Sequence, residues 1–389
     1  MIFDNLFKLM ADKQASDLFI TAGAPIQIKI QGQTMSINQQ IMEPPMIHKM
    51  ISEALTQEQL QKFTREREIN LSFGRTDIGN FRLNMFWQRN SAAVVIRYIQ
   101  YNIPSLSELE LPPVLADLAL EKRGLILVVG ATGSGKSSTL ASMIDHRSHT
   151  RSGHILTIED PIEFVFRHNK SIVNQREIGI DTLSWQHALR NAMRQAPDCI
   201  LIGEIRDRDT MQAAISYAQS GHLCLATLHA NNAYHALNSI VNFFPPEVRH
   251  LLYLDLSVAL RCIVSQRLVH KHDTRLTPAV EILLNTRHIS ELIEHGKFNE
   301  IKEAMESSLA QGSRTFEQDL CRLYRDNIIS LEEALANADS ATNLSWLINN
   351  DKGDSDNVPT KHTSNSALLN FDATQSGAAT FSDMTIDFG

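Results

Sequence analysis

From Gly124 onward the chain alternates short apolar runs with stretches whose apolar residues recur at helical spacing. The runs Leu125 to Val129, Ile155 to Ile158, Cys199 to Ile202 and Leu223 to Thr227 are apolar at every position or nearly so. Strands of that kind belong in a parallel sheet covered on both faces, because neither side of the strand is offered to water. Between them the spacing predicts a helix near Trp185 to Arg194, with Ala188, Leu189 and Ala192 on one face, and another near Thr210 to Ser220 that stops at Gly221. Beyond Pro246 the chain reads as helical, with Leu251, Leu252, Leu254, Leu256, Val258 and Leu260 too dense for a fully exposed helix.

The first hundred residues have a different rhythm. Ser16 to Ile20, Ile26 to Ile30, Asn80 to Phe86 and Ala92 to Tyr98 have strand character, with turn signals at Gly23-Ala24-Pro25, Gln31-Gly32 and Asp77-Ile78-Gly79. Thr56-Gln57-Glu58-Gln59 is a capping box that opens a short helix, and Pro44-Pro45 precedes another. The pattern predicts a small α+β domain over 1–100, a proline-punctuated linker over 101–113, an α/β domain with C-terminal helices over 114–347, and a tail over 348–389. From Asp351 the tail carries six Asp against two Lys and is rich in Ser, Thr, Asn and Gly, too little apolar surface to offset ordering entropy, so it is expected to be disordered. Within it Phe371, Phe381, Met384, Ile386 and Phe388 are either scattered residues of a solvated segment or a short motif that orders on a partner.

At 389 residues the chain exceeds a single hydrophobic core. Its net charge of -8 argues against broad nucleic-acid binding, which needs a basic face. No apolar stretch approaches a membrane span, and Met1 to Met10, interrupted by Asp4 and followed by no small-residue cleavage site, does not read as a signal peptide. A cytoplasmic location is expected. Cys199, Cys224, Cys262 and Cys321 are widely spaced and read as buried, inert thiols rather than disulfide or metal ligands.

Candidate chemistry begins at Gly130-Ala131-Thr132-Gly133-Ser134-Gly135-Lys136-Ser137, a G-x-x-x-x-G-K-S string set between the first apolar strand and a helix-compatible stretch that starts around Ser138. Its glycines let backbone N–H groups turn inward onto phosphate oxygens, and the positive end of the following helix points at the same place. Lys136 would reach the β- and γ-phosphates of ATP and Ser137 would ligate Mg²⁺.

Hydrolysis also needs a carboxylate to orient water and a cation to meet charge on the γ-phosphate. After the second strand, Glu159-Asp160-Pro161-Ile162-Glu163 leaves Glu159 and Glu163 free to approach Mg²⁺ or the attacking water. After the third, Gly203 stands where a metal-binding Asp is common, so Glu204 serves the metal through water or shares that work with Glu159 and Glu163. The fourth strand ends in Thr227-Leu228-His229-Ala230-Asn231, where His229 either senses the γ-phosphate or is structural; His222 is a weaker candidate of the same kind. Arg82 and Arg97, in strand-like segments of the first domain, either reach a nucleotide across a subunit boundary or make ordinary surface salt bridges.

Together, the loop at Gly130 to Ser137, the acidic string Thr157 to Glu163, the strand Leu201 to Asp207 and the string Thr227 to Asn231 resemble the secretion ATPase superfamily of type II secretion and type IV pili. Ser16-Asp17-Leu18 with Gly23 and Pro25, and Gln266-Arg267-Leu268, are similar to its twitching-motility, or retraction, branch, so that the resemblance extends from Met1 to about Leu347. The chain has no C-x-x-C, whereas assembly members carry a zinc-binding cysteine set. Where the principal retraction ATPases carry Ala-Ile-Arg-Asn-Leu-Ile-Arg-Glu, this chain reads His288-Ile289-Ser290-Glu291-Leu292-Ile293-Glu294-His295, which points to the accessory retraction ATPases.

The resemblance implies a PAS-like first domain, a RecA-like P-loop second domain and a homohexameric ring. It also implies phosphate binding by Lys136, Mg²⁺ binding by Ser137 with support from Glu204, water activation by Glu163 and a γ-phosphate contact from His229. The implied partners are an inner-membrane platform protein at the pilus base and a paralogous retraction ATPase. Three functions are expected to compete: a Mg-ATP-hydrolysing motor for pilus retraction, an ATP-binding partner that reinforces a paralogous hexamer without driving retraction alone, and an assembly or DNA-transfer ATPase of the same superfamily.

Overall fold

The computed structural model describes residues 2–30, 32–75, 78–99 and 102–350, which fall into two compact units, one within Met1–Tyr101 and the other within Asn102–Lys352. The turn signals at Gln31 and Asp77, the linker's Tyr101, and the tail residues Phe371, Phe381, Met384, Ile386 and Phe388 lie outside the described residues.

The first unit runs α1 (Ile2–Asp12), β1 (Asp17–Ile20), β2 (Pro25–Ile30), β3 (Gln33–Ile41), α2 (Pro44–Ala54), α3 (Gln57–Glu66), β4 (Glu68–Arg75), β5 (Gly79–Gln88) and β6 (Ser91–Ile99). Its described strands make an antiparallel sheet in the order β3-β2-β1-β6-β5-β4. One face is apolar and covered. Phe81, Leu83 and Met85 of β5 alternate inward with Arg82 and Asn84, as the two-residue period of a half-buried strand requires. Phe3, Leu6, Phe7 and Met10 recur at helical spacing on α1, and the Phe7 ring stacks on Phe81 with centroids 4.2 Å apart. The Thr56 capping box is present as the sequence predicts. Helix α1 is an addition to the two predicted helices: the stretch read only as a non-signal start is amphipathic, and Asp4 on its first turn meets Arg75 at 2.7 Å.

The second unit continues α4 (Val114–Ala119), β7 (Gly124–Val129), α5 (Lys136–Thr150), β8 (Gly153–Glu159), β9 (Ser171–Glu177), α6 (Trp185–Ala192), β10 (Cys199–Ile202), α7 (Arg208–Gln219), β11 (Leu223–Leu228), α8 (Ala233–Asn242) and α9 (Arg249–Ala259). Then follow β12 (Leu260–His270), β13 (Leu276–Leu284), α10 (Arg287–Glu294), α11 (Ile301–Glu306), α12 (Phe316–Arg325), α13 (Leu331–Asn337) and α14 (Ala341–Asn350). Its sheet is ordered β13-β12-β7-β11-β10-β8-β9, parallel throughout except for β13, which returns antiparallel to β12. Every residue of β7, β10 and β11 is buried, so their unbroken apolar runs are explained by helices on both faces.

The stretch beyond Pro246 is helical only in part. It contains β12 and β13, because a dense apolar run such as Leu260 to Val264 reads equally well as buried strand or buried helix. On α9, Leu252 and Leu256 are buried while Leu251, Leu254 and Val258 face outward. The four cysteines are buried. Among the described residues no helix is long and apolar enough to cross a membrane.

Candidate active site

Parallel strands share one direction, so the segments that follow β7, β8, β10 and β11 all emerge at the same end of the sheet. There they surround a cleft of about 650 Å³ lined by Thr132, Gly133, Gly135, Lys136, Ser137, Ser138, Glu159, Glu163, Glu204, Arg206, Thr227 and His229, with Phe164, Phe166 and Leu268 as its apolar wall.

The loop after β7 is tight. A Cβ on Gly130 would stand 2.5 Å from the Gln266 carbonyl oxygen, and one on Gly135 would stand 2.7 Å from Gln266 Nε2; both glycines have positive φ, +156° and +89°. Lys136 begins α5 and curls over the loop, its Nζ donating to the carbonyls of Gly130 at 2.9 Å and Ala131 at 2.8 Å. Burial lowers the pKa of its ammonium, and the charges of Glu204 and Glu163 oppose that shift. Among the described residues the buried Ser134 hydroxyl has no hydrogen-bond partner. These features fit a bound phosphate chain: a turn with no room for side chains, a cation above it and a spare hydroxyl.

Glu163 and Glu204 do not stand alike. Glu163 is exposed at the cleft mouth, on a segment clamped by β9: Gln175 Nε2 donates to the Phe164 carbonyl at 2.8 Å, Gln175 Oε1 accepts from the Phe166 N–H at 2.9 Å, and Glu177 Oε2 accepts from the Ile162 N–H at 3.2 Å. Glu204 is bridged, with Oε2 2.6 Å from an Arg206 guanidinium nitrogen and Oε1 3.1 Å from His229 Nε2. The pairing raises the Arg206 pKa, and Asp160 adds to it. Thr227 Oγ1 donates to the Gly203 carbonyl at 2.5 Å, so the ends of β10 and β11 are tied together beneath this group.

Glu159 departs from the expectation that it is free. It lines the cleft from the back, buried, with Oε1 accepting from Thr157 Oγ1 at 2.6 Å and Gln175 Nε2 at 3.1 Å. Burial pushes its carboxyl up to about 7 against those donors. The reason is geometric: Glu159, the last residue of β8, shares a sheet face with Thr157 two residues before it and with Gln175, the partner of Thr157 on β9, so both donors lie beside its carboxylate.

His222 is corrected outright. It precedes β11, at the opposite end of the strand from His229, with Nδ1 against the Tyr217 carbonyl at 3.2 Å. Arg82 and Arg97 belong to the first unit and are not among the residues lining the cleft. They are direct cross-strand partners on β5 and β6, and Arg97 Nε donates to Asp17 Oδ1 at 2.9 Å.

The loop that carries His229 is anchored on its far side. Asn232 caps α8 and also donates to Asp339 Oδ2 at 2.7 Å, while Arg267 donates to the Asn231 carbonyl at 3.2 Å, pairs with Asp339 and lies 3.9 Å from the Phe316 ring centroid. Burial pushes the Asp339 carboxyl up, and its donors Arg267 and Asn232 more than reverse this. Sequence reasoning assigned no role to Arg206, Gln175 or Gln266. Arg206 and Gln266 lay within strings already in view, but the contacts of Gln175 and Gln266 carry no local signal, since their hydrogen-bond partners are 9 to 127 residues away.

Among the described residues no group of three or more His, Cys, Asp or Glu could hold a metal alone. Ser137 and Glu204 together suit Mg²⁺, which takes few protein ligands and completes its shell with water and phosphate.

The family described as "Type II/IV secretion system protein" matches residues 1–314. A type IV pilus ATPase, PilU, of Pseudomonas aeruginosa is 46% identical over 90% of this chain and 91% of its own length. The type IV pilus retraction ATPase PilT of the same organism is 37% identical over 86% of this chain and 97% of its own. A crystal structure of the pilus retraction motor PilT with bound ADP superposes with a TM-score of 0.82 at 38% identity, covering 88% of this chain and 98% of that one.

Proposed function

This chain belongs to the type II/IV secretion system protein family and is an ATPase associated with type IV pilus retraction, and from that premise we propose that it hydrolyses Mg-ATP as a subunit of a homohexamer that powers or assists retraction. One observation carries the reading: Lys136, Ser137, Glu163, Glu204, Arg206 and His229 converge on one cleft over a glycine turn.

In this reading Lys136 leaves the carbonyls of Gly130 and Ala131 for phosphate oxygens, and Ser134 and the loop N–H groups close around them. Glu163, exposed and held by the Gln175 clamp, takes a proton from the attacking water. Glu204 holds His229 by Nε2 and Arg206 by its guanidinium, so the imidazole and the cation are aimed together where charge grows on the γ-phosphate. Mg²⁺ on Ser137, supported by Glu204, would supply neutralisation of the phosphate oxygens. Glu159 keeps the Glu163 segment seated through the shared partner Gln175. Arg82 and Arg97 are assigned to the nucleotide of a neighbouring subunit, where two cations on adjacent strands would report its charge.

Hydrolysis in one subunit then loosens its grip on the next, and rigid-body rotation acts on an inner-membrane platform protein from the cytoplasmic side. Domains are proposed at 1–100 and 114–347, joined by 101–113. ATP turnover of the Glu163→Gln hexamer tests the chemistry; wild-type rates remove Glu163 as the base.

A second reading is favoured by the higher identity to PilU than to PilT, 46% against 37%. Here the chain binds ATP mainly to reinforce a paralogous PilT-type hexamer. Retraction measured in strains lacking this gene, its paralogue or both separates the two, since autonomous retraction without the paralogue excludes the second.

A further inference from the structure

The loop's two crowded glycines face one residue that plays no part in the chemistry above. In the pairing of β12 with β7, Ser265 lies level with Val129, the last residue of β7, so the longer β12 carries Gln266 past the strand end and alongside the loop that starts at Gly130. Gln266 is 3% exposed and is absent from the cleft lining, which Leu268 two residues on does join.

Its three contacts bracket the loop. The backbone carbonyl blocks any side chain at Gly130, the amide nitrogen blocks one at Gly135, and Oε1 accepts a hydrogen bond of 2.7 Å from Thr139 Oγ1 on the first turn of α5. Thr139 is itself fully buried, and its N–H donates to the Gly135 carbonyl at 3.0 Å. Gln266, Thr139 and Gly135 therefore close a small ring behind Lys136 and Ser137, the two residues aimed at phosphate and metal. The buried Gln266 Oε1 keeps its Thr139 donor only while the loop and the first turn of α5 hold this curvature.

We infer that Gln266 is a positioning residue of the phosphate loop: it holds the glycine turn and the first turn of α5 in the shape that receives phosphate, without touching the nucleotide. The inference rests on the P-loop reading above but not on hydrolysis. Both ATP and ADP depend on it, because the loop cradles phosphates common to the two.

The test titrates the full chain with ATP and with ADP and compares steady-state hydrolysis. Gln266→Met keeps the side-chain length and removes the hydrogen bond to Thr139; affinity for each nucleotide is expected to fall about tenfold, the effect of one well-placed buried hydrogen bond, with KM rising in step and kcat within about threefold. Thr139→Val is expected to fall similarly, Thr139→Ser to retain wild-type affinity, and the Gln266→Met/Thr139→Val pair to be no worse than the weaker single variant, because both remove the same bond. A merely structural role would lower the folded fraction and kcat while leaving KM in place. Unchanged affinity in folded Gln266→Met, or losses that multiply in the double variant, overturns the inference. Should Gln266→Met fail to fold, Thr139→Val against Thr139→Ser decides, equal affinity overturning it. A wild-type chain that binds ATP without turning it over removes the motor reading and leaves this one standing.

Discussion

Both units are built on sheets of short strands, yet one carries its polar groups across a face and the other gathers them at an end. In the antiparallel sheet Asp17, Arg97, Arg82 and Ser72 form a row through cross-strand pairing, each opposite the next, because every second residue of a half-buried strand shares one face. In the parallel sheet β7, β10 and β11 have no outward face at all, and the polar groups Lys136, Glu163, Glu204 and His229 are displaced into the segments beyond the strand ends. A row suits recognition of a surface. A convergent ring of loops suits chemistry on a small molecule, since groups distant in sequence meet around one enclosed space.

The comparison breaks most sharply at Glu163. Glu163→Gln should cut turnover about a thousandfold, within the span that general-base loss produces, and leave ATP affinity within about twofold; a variant as fast as wild type would return the chemistry to another strand end. Next in size, Phe81→Ala in the first unit removes a fully buried ring stacked on Phe7 and should cost about 3 kcal/mol or more, lowering the melting of residues 2–99 alone. Calorimetry that finds ATP-dependent stabilisation of the second unit altered too would show the units are not separable.

Lys136→Ala should weaken ATP about a hundredfold by direct titration, the loss of a partly buried cation from a phosphate site. An affinity equal to wild type removes the phosphate assignment. Smaller again is the pH response of Glu159. Its folded carboxyl titrates at about 7 rather than at 4.5, so between those values the folded chain holds a proton that the unfolded chain has lost. Stability therefore falls as pH rises through that window, by on the order of 1 kcal/mol or more, and Glu159→Gln should shrink the fall while Glu281, also pushed up to about 7 by burial, sustains the remainder. Denaturant titrations at pH 5 and pH 8 with the same difference in variant and wild type would sink it. The smallest effect is Arg97→Ala: its pair with Asp17, open to solvent on the arginine side, contributes about 1 kcal/mol, so any marked loss of ATP turnover reports a role in a neighbouring subunit.

How much of this was legible depended on whether the signal was local. Cys199 to Ile202 was read with the bounds it has, because an apolar run between polar flanks needs no partner to be recognised. The glycine loop was equally plain. Strand β9 was missed, since Ser171 to Glu177 offers only the adjacent Ile172 and Val173 as apolar residues, followed by four polar ones, and its identity comes from pairing with β8. The same limit hid its work at the site: Gln175 matters through Glu159 and Phe164, a relation only the folded chain creates. Glu159 and Glu163 looked equivalent four residues apart, and what separates them is that one ends a strand inside the sheet while the other lies on the segment beyond it.

The Asp339 carboxylate receives Asn232 with one oxygen and Arg267 with the other, just before α14 begins. Shortening the chain from its C-terminus is thus harmless to the imidazole loop only down to that point. A cut placed before residue 339 strips two donors of their shared acceptor, unclasps the cap of α8 and frees His229 from the rear, so the minimal nucleotide-processing fragment must retain it.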